Sequence, residues 1–453
     1  MARAGGRGSG APEGEWGSGA PEGKGGCGPY VSANVASVPF MKNTSASGRT
    51  TSPVLGARAL NRATLDRQLL LRRSRDLSVK DAVTHLVGLQ AQNVKPPYYT
   101  LAARLADFDP TELSALLDAR ELVRIVTLRS TIHLHTAADA RILRPLVQDA
   151  RAAELAGFRA GLVGVDPVEL AGVARAAVEA EPRTMKQLRE VLSVRWPDAD
   201  PQSLGVAARC LLPLVQVTPR GLWRRSGQVA LTTVEQWLGG GERGGEVGGG
   251  DGGSGGSESG VAGLDDAVLR YLRAFGPASV KDMQTWARLT RLRGVFERLR
   301  PRLRTFRDEN GVELFDLPDA PRPDPDTPAP PRFLPEYDNL LLSHADRTRV
   351  VPAAYKGRTW KGNRPYCVFL LDGFLAGVWR LEEDPKGGGA VFTIEPFGRR
   401  PGHAQREELV REAERMVACI AETSGSPSFP SSSVSSLPSS SSCDIRFGSV
   451  IDG

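Results

Sequence analysis

Gln90 and Gln92 stand two residues apart in Leu86-Val-Gly-Leu-Gln-Ala-Gln-Asn93, just ahead of Pro96 and Pro97. Two neutral amides supply hydrogen-bond donors and acceptors but neither a strong acid nor a strong base. A site built on them must run an easy reaction by positioning. On a helix, residues two apart point about 200° apart and cannot share a target. On an extended segment they point the same way. The residues leave both arrangements open, and a helix end whose glutamines meet solvent or phosphates is the plainer alternative.

Other groups able to do chemistry are few. The five histidines form no HxxxH or HExxH pair, and Cys27, Cys210, Cys367, Cys419 and Cys443 form no CxxC pair. No metal, disulfide framework or cofactor is expected. Thr131, His133 and His135 would share one face of an alternating strand. Of the lysines near the glutamines, only Lys95 suggests a Schiff-base nucleophile.

The elements that must position these residues follow from capping and periodicity. Ser78 with Asp81 starts a helix carrying Val79, Val83, Leu86 and Val87 at helical spacing, and the double proline should end it. Residues 1–57 are Gly-, Ser-, Ala- and Pro-rich and expected to be disordered. A first block, 58–164, has helices starting at Thr64 and at 79, 99 and 111. Two short strands over 122–135 follow, then a long helix capped by Thr136 reaching about residue 160. The second block, 165–238, reads as three helices and a hairpin, the order of a winged helix. A Gly-rich linker at 239–263 precedes a third block, 264–318, which repeats that order with an Asn310-Gly311 turn. A Pro-rich spacer at 319–331 leads to a mainly β domain over 332–423, closed by one helix. A Ser-rich tail, 424–453, is expected to be disordered.

The net charge is +6 and the pI about 9.2, favouring a polyanionic partner, nucleic acid before anionic membrane. No apolar leader or membrane-length run is evident, so a reduced, cytoplasmic, nucleoid-associated protein is expected. The last helix of the second block is largely apolar. Its counterpart in the third carries Arg291 and Arg298 seven apart, on one face suited to phosphates. No glutamine or asparagine joins them, so base readout has little support.

With these residues laid out, the chain resembles the AlkZ-type DNA glycosylases, a family that also includes the YcaQ-like proteins. The resemblance rests on Gln90-Ala91-Gln92, on Arg129-Ser-Thr-Ile-His133, on Leu334-Pro-Glu-Tyr-Asp-Asn-Leu-Leu-Leu-Ser-His-Ala-Asp-Arg347 and on Leu371-Asp-Gly-Phe-Leu-Ala-Gly-Val-Trp-Arg380. It spans roughly 58–422, and Gln92, where a sister branch has an acidic residue, marks the Gln-x-Gln branch. It implies an α+β architecture of three tandem winged helices in a C-shape around a basic concave surface. It also implies excision of N7-alkylated guanine from double-stranded DNA, with interstrand-crosslink unhooking in some members.

The leaving base would be neutral and need no proton, so Gln90 and Gln92 could suffice by fixing a water at C1′. Arg129 and Arg347 are candidate phosphate contacts. Thr131, His133, Asp338 and His344 are candidates for the cleft, Asp338 also as a weaker water-activating carboxylate. Monofunctional cleavage by a monomer is expected. The alternative is a non-enzymatic tandem winged-helix regulator.

Overall fold

The computed structural model describes residues 52–239, 255–361, 364–383, 389–421 and 443–451. One pattern occurs three times in it: helix, short strand, two helices, then an antiparallel strand pair whose second member holds the short strand. In the first repeat these are Val79–His85, Leu89–Gln90, Pro96–Arg104, Pro110–Asp118, Leu122–Val126 and Ile132–Thr136. The second runs Pro167–Ala180, Arg183–Thr184, Met185–Arg195, Pro201–Leu211, Leu214–Gln216 and Ala230–Thr233. In the third, Gly255–Phe275, Val280–Ala287 and Arg293–Leu299 precede Arg304–Asp308 and Glu313–Asp316, and Ala278 alone bridges Phe315.

Each repeat has an apolar core, the third continuous with Val87, Leu128, Leu143 and Val147 from the first repeat and the helices after it. Val83, Leu101, Leu113 and Leu134 fill the first, Leu170, Leu188, Leu204 and Leu231 the second, and Leu272, Phe275, Trp286 and Phe296 the third. The first two repeats nevertheless share one six-stranded sheet. Strand Leu122–Val126 pairs antiparallel with Leu214–Gln216, Arg124 facing Gln216 and Ile125 facing Val215. The glutamine strand is one edge of that sheet.

The β domain is a five-stranded sheet in the order Arg332–Leu334, Cys367–Leu371, Phe374–Glu383, Ala390–Pro396, Cys443–Phe447. The helix His403–Ala421 packs on it through Leu409, Ala413 and Met416, against Phe333, Trp379 and Phe392. Asp372 and Gly373, both at positive φ, make a tight hairpin turn.

Several expectations are corrected. Pro96 and Pro97 open a helix instead of ending one, because proline's missing N–H costs nothing in a first turn. The preceding helix stops at His85, where Val87 and Gly88 turn through positive φ. The long helix after Thr136 is two, Ala137–Leu146 and Gln148–Ala156, broken after Pro145.

The helix expected at Thr64 begins at Ala57 and belongs to no repeat. It joins the third repeat to the β domain: Arg67 makes a bidentate pair with buried Asp316 at 2.6 and 2.9 Å, and Asn61 donates to the carbonyls of Arg349 and Gly373.

Neither expected tail is wholly without structure. Val54–Leu55 pairs parallel with Arg307 and Asp308, and Cys443–Phe447 pairs parallel with Ala390–Pro396. Apolar alternation too short to stand out in a low-complexity sequence is enough to extend an existing edge. Helix Gly255–Phe275 starts inside the expected Gly-rich linker. The rest of that linker, residues 1–51 and residues 422–442 lie outside the described residues.

Candidate active site

The backbone is extended at Gln90 and bends at Gln92. Gln90 lies directly opposite His133 in the sheet, and the ladder continues with Ala91 N–H donating to Ile132 O at 2.8 Å. The strand ends at Gln90, and Gln92 lies in the bend that follows, its side chain turned back to the Ile132 backbone. Gly88 makes the approach possible. It sits at φ +88°, and a Cβ there would lie 2.3 Å from the His135 ring. Asn339, from the longest motif, donates to the carbonyls of Leu86 and Gly88 at 3.3 and 2.7 Å and so clamps that turn.

Arg124 holds the segment from beneath. It is fully buried, donates to Ala91 O at 2.8 Å and, through Nε, to Gln216 Oε1 at 3.1 Å. Burial, with Arg220 nearby, pushes its guanidinium down to about 10. A charged residue at an inward position of Leu-Val-Arg-Ile-Val is the signal that would have found it.

The glutamine side chains are individually fixed. Gln90 Oε1 accepts from Arg129 Nη2 at 2.8 Å, and Gln92 Oε1 accepts from the Ile132 backbone N–H at 3.3 Å. The same Arg129 nitrogen lies 3.1 Å from His133 Nε2, and Nη1 donates to Trp286 O in the third repeat at 2.6 Å. His133 Nδ1 meets Thr131 O at 3.0 Å. The carbonyl cannot donate, so Nδ1 carries the proton and Nε2 is the acceptor. Burial and the Arg129 charge keep His133 neutral, far below the usual histidine range. Burial takes its stacked neighbour His135 down to about 4.

Arg129, Thr131 and His133 are therefore brought together with Gln90. Arg347 joins them electrostatically: burial first, then the charge of Arg347, lowers Arg129 to about 10. Neither arginine has a carboxylate partner among the described residues. Arg347 is exposed.

Two cleft candidates are placed elsewhere. Asp338 is buried, receiving Arg104 Nη1 and Nη2 at 2.9 and 2.8 Å while capping Leu340 N–H. Its oxygens are spent on structure. His344 is also buried, between Ser343 Oγ and Phe275 O, each at 3.0 Å, and burial with Arg349 takes it to about 3.

The expected arginine face is corrected as well. The helix starts only at Arg293, so Arg291 precedes it at φ +61° and shares no helical face with Arg298. Arg298 pairs with Asp265, and Arg293 and Arg300 both pair with Glu297 and Glu313. Glu297 on the same helix and Asp265 and Glu313 from neighbouring elements neutralise Arg293, Arg298 and Arg300. Arg291 stays exposed and without an ion-pair partner among the described residues.

The repeats and the held amide pair can be set beside known proteins. The model of the family described as DNA glycosylase AlkZ-like matches residues 83–419, and the chain belongs to that family. Among solved structures, the Streptomyces sahachiroi DNA glycosylase AlkZ is similar, with a TM-score of 0.65 and 18% identity, over 87% of this chain and 100% of that one. At that identity the likeness bears on the fold. No curated protein matches by sequence. No helix among the described residues is long and apolar enough to cross a membrane.

Proposed function

We propose that the chain excises N7-alkylated guanine from double-stranded DNA, with Gln90 and Gln92 touching the reacting centre and the three repeats acting as winged helices. The observation that carries this reading is the pair of amides at a sheet edge, Gln90 held by Arg129, with Arg347 nearby as an exposed cation without a carboxylate partner among the described residues. A cationic base departs neutral, so the protein need only position a water at C1′ and the DNA strand around it. Normal guanine, a far poorer leaving group, survives the same site. Positive charge without local compensation suits a phosphate backbone.

The regulator reading has no recognition helix to support it in the second repeat. Helix Pro201–Leu211 buries Leu204, Val206, Ala207, Ala208 and Cys210. Crosslinked purines would be further substrates, since a base alkylated at N7 by a crosslink is cationic and departs by the same chemistry. Cleavage is monofunctional: Lys95, the lysine nearest the glutamines in sequence, is paired with Glu383 at 3.0 Å.

The test is release of 7-methylguanine from an alkylated duplex by wild type and by the Gln90→Ala/Gln92→Ala double variant, with DNA binding measured alongside. Release by wild type alone, with binding retained, supports the reading. Binding without release, on this and on a crosslinked duplex, overturns it.

A further inference from the structure

Which ends of the two amides face the substrate is fixed by their neighbours. A guanidinium has only donors, so the Gln90 atom 2.8 Å from Arg129 must be the carbonyl oxygen. A backbone N–H is likewise only a donor, so the Gln92 atom facing Ile132 N is also its oxygen. Both NH₂ groups point away from these contacts, and neither has a protein acceptor among the described residues.

We propose that Arg129 is a positioning residue that locks Gln90 with its NH₂ group toward the substrate, so that the glutamine pair acts as hydrogen-bond donors and not as the proton acceptor for water. The proposal rests on the glycosylase reading above and specifies how its two glutamines work. Their target is a lone-pair oxygen, that of the attacking water or that of a phosphodiester flanking the lesion. Water adding to a cationic sugar can shed its proton to solvent afterwards, so no base is required of the pair.

Arg129 is built for the task. Its guanidinium spans three acceptors, Gln90 Oε1, His133 Nε2 and Trp286 O, and so cannot turn without losing several bonds at once. His133 is itself fixed by Thr131 O. Arg129 and Ser130 both adopt positive φ, +54° and +59°, in a turn closed by Thr127 N–H on Thr131 O and Thr131 N–H on Leu128 O. Two successive non-glycine residues in that region cost stability and are held by their surroundings. Trp286 belongs to the third repeat, so that repeat supplies one of the bonds that hold the guanidinium in place.

The experiment is single-turnover excision at saturating full-length enzyme by wild type, Gln90→Glu, Arg129→Met and Arg129→Lys, with dissociation constants for the same alkylated duplex. Gln90→Glu keeps the partner of Arg129, removes the donor and adds a better base. The expected result is a rate loss on the order of 100-fold, the scale of losing one preorganised donor. A rate at or above wild type overturns the proposal, because the carbonyl end would then be the working one. If affinity falls together with the rate, the oxygen gripped is the phosphodiester's; if the rate alone falls, it is the water's.

Arg129→Met is expected to lower the saturating rate at least tenfold with affinity within about twofold, and Arg129→Lys to recover part of the rate. Weakened affinity with an unchanged saturating rate would make Arg129 a phosphate contact instead. Should Arg129→Met not fold, Gln90→Glu decides alone. No release by wild type would be the failure of the glycosylase reading, and is seen before any variant is compared.

Discussion

Gly88→Ala tests whether the glutamine strand depends on the close packing of Gly88 against His135. The backbone there is at φ +88°, where a side chain costs about 1–2 kcal/mol. The added methyl would also lie 2.3 Å from both Cε1 and Nδ1 of His135 and 3.0 Å from Leu134 O. His135 is fully buried with Nε2 on Thr127 Oγ1 at 2.9 Å, so it can yield only by disturbing a packed core, at about 1–3 kcal/mol. The sum is roughly 2–5 kcal/mol of lost stability, read by urea unfolding of the full chain. Gly164→Ala is the control: φ is +76° there, but the methyl meets nothing within 4 Å, so only the backbone cost of about 1–2 kcal/mol applies. The same displacement should move Gln90, two residues on, and lower single-turnover excision by ~100-fold for a shift near 1 Å. Equal stability losses at the two glycines would refute the packing argument.

Other perturbations separate the roles of the remaining charged groups. Asp338→Asn removes a fully buried bidentate partner of Arg104 and should cost about 3–5 kcal/mol, while saturating excision at a permissive temperature stays within a few-fold. A collapsed rate with unchanged stability would instead make Asp338 catalytic. In salt titrations of DNA binding, Arg347→Ala and Arg291→Ala should each reduce the log–log slope by about 1, whereas Arg298→Ala, already paired with Asp265, should leave it nearly unchanged. For pH, His135 is held near 4 and His344 near 3, against about 6.5 unfolded. Unfolded chains bind the proton first, so the stability these groups contribute is complete above pH 6.5 and is lost as pH falls toward 4 and then 3. Each contributes a slope of about 1.4 kcal/mol per pH unit in its window. Unfolding of His135→Gln should therefore lose about that much slope between pH 6 and 4.5; an unchanged slope would contradict the assignment.

Capping and turn chemistry were the most readable part of the chain. Ser78 and Thr136 cap the helices that follow them, and the Asn310-Gly311 turn closes its hairpin, because those signals are local. The glutamine pair was readable as a motif but not as a geometry. Whether 89–92 is helix or strand is decided by pairing with His133, more than 40 residues away. Long-range partners also explain the misplaced residues. Asp338 reads as a cleft carboxylate until Arg104 is seen to hold it, and Arg298 and Arg300 read as a free basic face until Asp265 and Glu313 are seen beside them. A buried arginine such as Arg124 is the hardest to read, since it donates to the backbone carbonyls of Ala91 and Asn93, which have no sequence signature.

The two outlying strands set limits on trimming the protein. Val54–Leu55 and Cys443–Phe447 each occupy the flank of a sheet, supplying partners for backbone groups of Arg304–Asp308 and Ala390–Pro396. A fragment cut to residues 58–422 would keep every residue of the candidate site. It would also bare two rows of N–H and C=O groups, which are templates for edge-to-edge pairing between molecules. Such a fragment is expected to self-associate, and the short strands buried in low-complexity sequence serve as guards against aggregation.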